Sequence, residues 1–86
     1  MPEISRFFGI VIKMFYTDHL PAHFHAEYGE FEALLEIDSL DVYRGTLPRR
    51  ALALVLEWAT MHRQELRENW RMAQGGESPR PIAPLE

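Results

Sequence analysis

Apolar residues crowd the first sixteen positions and then begin to alternate with polar ones. Phe8 to Tyr16 is rich in β-branched and aromatic residues and predicts a strand. Phe8, Ile10, Ile12, Met14 and Tyr16 fall on one side of it, and Phe7, Val11 and Phe15 on the other. A strand apolar on both faces is expected inside a sheet, covered on both sides. A helix covers one side only, which leaves a subunit, a partner or the C-terminal tail for the second. Thr17-Asp-His-Leu-Pro21 breaks the strand, because Pro21 removes a donor and turns Leu20 away from helix. His23–Tyr28 and Phe31–Ile37 then flank Gly29-Glu30, a two-residue turn whose leading glycine suits type II′. Pairing Tyr28 with Phe31 puts Phe24/Leu35 and Ala26/Ala33 on one apolar face. His23/Glu36, His25/Leu34 and Glu27/Glu32 then share the other. Asp38–Asp41 reads as a turn and Val42–Thr46 as a last short strand.

From Pro48 to about Gln74 the period changes to that of a helix, opened by Pro48 and closed by Gly75-Gly76. Leu52, Val55, Ala59, His62, Leu66 and Ala73 form its core stripe, with Leu54, Trp58 and Met61 beside it. One continuous helix of this length would reach roughly 40 Å, more than a small domain spans. It is expected either to break near Ala59-Thr60 or to overhang the sheet. The expected fold is α+β: an antiparallel meander of three or four strands with one long C-terminal helix on the Phe24/Ala26/Tyr28 face. Residues 1–76 make the single domain, and the Pro-rich residues 77–86 a flexible, extended tail.

Composition narrows the function more than the fold. The 86 residues carry no cysteine, which excludes disulfides, thiolate zinc sites and thiol catalysis. No apolar run is long enough to span a membrane and the N-terminus lacks a signal-peptide layout, so the cytoplasm is expected. The net charge of −4 argues against a general nucleic-acid binder. Its distribution is uneven. Thr17 to Tyr43 holds seven acids and no Lys or Arg, whereas Arg44 to Arg71 is mildly basic.

Chemistry concentrates in Asp18-His-Leu-Pro-Ala-His-Phe-His-Ala-Glu27. His23, His25 and Glu27 alternate along a strand and project from one side, an arrangement able to hold a divalent metal. No cofactor is otherwise expected. Asp18, His19, His23 and His25 are equally suited to acid–base work, since histidine exchanges protons near neutral pH. Cleaving RNA needs a base for the 2′-hydroxyl, an acid for the leaving oxygen and a cation for the phosphate. The plainer alternative is a polar sheet face with His23 bonded to Glu36. His62 lies on the apolar stripe and suits a core role. Arg63, Arg67 and Arg71 share one helix face at i,i+4 spacing, where like charges repel mildly, so they are candidates for RNA or an acidic partner. Trp58 and Trp70 are candidate aromatic anchors of a homodimer or a heterocomplex.

Several stretches carry a resemblance: Pro2-Glu-Ile-Ser-Arg-Phe-Phe-Gly-Ile10, Asp18-His-x-Pro-x-His-Phe-His-Ala-x-Tyr28, Leu47-Pro-Arg-Arg-Ala51, and Trp58-x-x-x-His62-x-x-Glu65-Leu66-x-x-Asn69-Trp70. Together they closely resemble the small bacterial family called domain of unknown function 4160. That resemblance implies a partner from a second small family, domain of unknown function 2442, encoded alongside. It further implies a toxin–antitoxin pair with this chain as the toxin. No catalytic mechanism comes with it. A non-catalytic binding or adaptor module and a His-x-His metal-binding protein stand as alternatives.

Overall fold

The computed structural model describes residues 3–16 and 19–86. Five strands form one antiparallel sheet in simple chain order: β1 (Glu3–Phe7), β2 (Ile10–Lys13), β3 (His23–Tyr28), β4 (Phe31–Glu36) and β5 (Val42–Thr46). Two helices follow, α1 (Arg49–Met61) and α2 (Arg63–Gln74). The α+β class holds, but the sheet has five strands in place of the three or four expected, and two helices replace one.

The extra strand arises because the apolar N-terminal run folds back on itself. Phe7 pairs with Ile10 across a two-residue turn in which Phe8 (φ 50°) and Gly9 (φ 80°) are both left-handed. Phe8 is therefore turn, not strand. Ile10 and Ile12 face the core, where both are fully buried. The β3–β4 hairpin has the expected register, from His23 opposite Glu36 to Tyr28 opposite Phe31. Gly29 alone of its two turn residues has positive φ (58°), as a type II′ turn requires.

The long helix breaks at His62, three residues beyond Ala59, rather than overhanging the sheet. His62 leaves helical geometry (φ −124°), closing α1 and opening α2. Its Nδ1 donates to the Glu65 carboxylate three positions on, and Glu65 is the one acid in the first turn of α2, where the helix dipole favours it. The break lets α2 turn across the end of β4. There Arg63 Nε donates to the Ile37 carbonyl at 3.3 Å and Arg67 Nε to Asp38 at 2.9 Å.

Trp58 sits at the centre of the core, 0% exposed, with its ring 5.4 Å from Phe7 and 6.0 Å from Phe24. The Pro-rich segment after Gly76 has no regular structure, yet Ile82 and Leu85 are core residues. The β1–β2 register skips at Ile4, an irregularity of the kind that leaves a backbone group outside the ladder. The Ile4 carbonyl accepts from the Ile82 N–H at 2.7 Å. The C-terminal segment thus supplies cover beside the edge strand β1. Among the described residues no helix is long and apolar enough to cross a membrane.

Candidate functional site

The three histidines of the His-rich stretch have three different environments. His23, at the start of β3, is 2% exposed. Its Nδ1 must donate to the Pro21 carbonyl (2.7 Å), because a carbonyl only accepts. That bond assigns the proton of the neutral ring to Nδ1 and leaves the lone pair on Nε2. The ring is packed among His25 (5.2 Å), Trp70 (5.3 Å) and Tyr43 (5.4 Å). His25 is half-buried, T-shaped against the Phe15 ring, and its Nδ1 meets the Glu32 carboxylate at 3.1 Å. His19 is exposed on the loop that the Pro21–His23 bond ties down. Asp18 lies outside the described residues.

The polar sheet face exists, with partners other than those expected. Glu32, rather than Glu36, carries the bond to a histidine, and Glu27 is paired with Lys13 at 3.1 Å. Among the described residues no group of three His, Asp or Glu side chains is gathered as a metal site. His62 rests its ring on Trp58, 5.5 Å away, apart from the ring cluster around His23.

A hollow of about 230 Å³ joins His19 and His23 to Leu20, Leu34, Tyr43 and Arg44. The last two come from β5, and a register shift brings them there. Leu34 faces Arg44 while Leu35 faces Val42, so Tyr43 is an additional residue in β5. Such a bulge re-aims side chains. Here it lays the Tyr43 ring against His23 and sets Arg44 on the histidine side of the sheet. Gly45 makes the close approach possible: at φ 79°, its Cα has the Glu32 carbonyl where a Cβ would stand, 2.1 Å from it. Sequence reasoning missed Tyr43 and Arg44. One available signal was that Arg44 is the first cation after the acidic stretch.

The other candidates do structural work or stand at the surface. Arg63 and Arg67 pin α2 to the end of β4, while Arg71 is exposed. Trp58 is spent inside the chain, its indole N–H donating to the Ala83 carbonyl at 2.8 Å. Trp70 is 9% exposed and packs on His23. Asn69 holds the tail with both ends of its amide, donating to the Arg80 carbonyl (2.8 Å) and accepting from the Arg80 N–H (2.9 Å).

No curated protein and no solved structure matches this chain. The model of a family described as Domain of unknown function (DUF4160) matches residues 9–71, from the turn glycine of the first hairpin to the last arginine of α2, and the chain belongs to that family.

Proposed function

We infer that the protein is the toxin of a two-component pair and that its His19/Tyr43/Arg44 hollow cleaves RNA. The observation that carries this reading is the convergence of a base, a hydroxyl and a cation from two distant segments at one opening. Arg44 is suited to hold the phosphate, and His19, the exposed imidazole, to take the proton of the 2′-hydroxyl. The 2′-oxygen then bonds to phosphorus as the bond to the 5′-oxygen breaks. Tyr43 gives its phenolic proton to that leaving oxygen and regains one from His19 through solvent. The products are a 2′,3′-cyclic phosphate and a 5′-hydroxyl, with no water consumed. His23 acts as a positioning residue, since its Nδ1 bond to Pro21 fixes the loop bearing His19. The resemblance to the family supports the pairing with a small neutralising protein encoded alongside. Induced expression in bacteria tests the reading. Growth arrest that the neighbouring gene product relieves, and that His19→Ala abolishes, is expected. Normal growth at full expression would favour a non-catalytic binding module instead.

A further inference from the structure

A second concavity, of about 420 Å³, lies on the opposite side of the sheet from the histidine hollow. Ile10 and Tyr28, paired across β2 and β3, form its floor, and Ala51 and Leu54 of α1 form a wall. Phe8, Pro48 and Arg50 complete the lining. Its volume is that of sites that take a ligand or a few large side chains, roughly 300–1,000 Å³.

Phe8 makes this groove more than a gap in packing. Its backbone is left-handed, a conformation that L-residues other than Gly, Asn and Asp seldom adopt, and its side chain is 59% exposed. A bulky aromatic is therefore held in an unfavourable backbone state without gaining burial in the core. Tyr28 and Phe31, opposite each other on the same face of the β3–β4 hairpin, are 39% and 40% exposed. Three aromatics thus stand partly in water at one end of the sheet, next to an apolar hollow.

Charge sets the kind of occupant. Arg49 and Arg50 are both exposed, and neither has an ion pair among the described residues. The first turn of α1 contains no acidic residue. On a chain of net charge −4, Arg50 is thus an unneutralised positive charge in the lining of an apolar groove, with Arg49 next to it in sequence. We propose that this groove docks a peptide segment of a partner protein that inserts apolar or aromatic side chains beside Phe8 and Leu54 and places a carboxylate on Arg50. The inference is independent of the RNA reading, because the groove and the histidine hollow share no residue.

Selection of random twelve-residue peptides displayed on phage against the full chain tests it. Enriched sequences are expected to combine at least two large apolar residues with Asp or Glu. A synthetic peptide of the enriched sequence should bind at least tenfold more weakly to Leu54→Glu and to Arg50→Glu, and replacing its acids with Gln should weaken it as well. Phe8→Asn, which suits the left-handed turn, should fold at least as well as the parent and still bind the peptide less tightly. Three results would overturn the proposal: no enrichment, enriched peptides that are basic, or peptides that bind the variants as well as the parent. A parent chain that light scattering shows to be a dimer, and that Leu54→Glu converts to monomer, would assign the groove to a second copy and overturn it too.

Discussion

The indole N–H of Trp58 donates to the carbonyl of Ala83 across 2.8 Å, joining the centre of the core to a segment that follows the last helix by nine residues. The same segment gives its Ile82 N–H to Ile4 and takes both halves of the Asn69 amide at Arg80. These bonds tie the first strand, both helices and the tail into one hydrogen-bonded unit.

Deleting residues 78–86 should therefore destabilise the whole fold. The deletion removes the buried Ile82 and Leu85 side chains together with the hydrogen bonds to Trp58, Asn69 and Ile4. A lower urea midpoint is expected. Before unfolding, the Trp58 emission should already be red-shifted, because its pocket is open to water. An unchanged midpoint and emission would show the tail to be ornamental.

Asn69→Ala removes two hydrogen bonds from a residue that is 2% exposed and strands the Arg80 backbone. A loss of about 1–3 kcal/mol should follow. In the truncated chain, where Arg80 is absent, the same substitution should cost much less. Equal costs in both backgrounds would mean that Asn69 acts through something other than the tail.

The hairpin from His23 to Ile37 was legible because its two faces differ sharply in polarity, so a slip of one residue would bury glutamates. The break at His62 was legible only in outline, from length. What hid the first hairpin is that its turn, Phe8-Gly9, has an aromatic where Asn or Asp usually marks such a turn, so that two apolar strands run together in sequence. The packing of the tail was hidden for a related reason. Its prolines exclude regular structure, but irregular backbone can still be packed when Trp58 and Asn69 supply its hydrogen bonds. Within the site, His19 and His23 were legible as a local cluster. Tyr43 and Arg44 were not, since a bulge, and no residue pattern, sends them to the histidine side.

Gly45 and Gly29 offer a controlled comparison of what a methyl group costs at positive φ. At Gly29 nothing lies within 4 Å of the added Cβ, so Gly29→Ala should cost only the conformational penalty, about 1–2 kcal/mol. At Gly45 the Cβ would stand 2.1 Å from the Glu32 carbonyl oxygen, and β5 must shift away from β4. Gly45→Ala should lose on the order of 3 kcal/mol, and any RNA cleavage should fall further than the fraction unfolded explains, because Tyr43 and Arg44 move with β5. Equal stabilities of the two variants, measured by urea unfolding, would contradict the close β4–β5 approach.

Cleavage of RNA by in-line attack of the 2′-hydroxyl is the role proposed for the hollow of His19, Tyr43 and Arg44. Its most direct measurement is the incubation of the purified chain with end-labelled single-stranded RNA, in parallel with the same strand made entirely of 2′-deoxynucleotides, followed by mass analysis of the ends. Fragments ending in a 2′,3′-cyclic phosphate and a 5′-hydroxyl are expected, with no cleavage of the deoxy strand and a loss of at least about a hundredfold in rate for His19→Ala at an unchanged melting temperature. An intact RNA, cleavage of the deoxy strand, or a His19→Ala variant as active as the parent would contradict it.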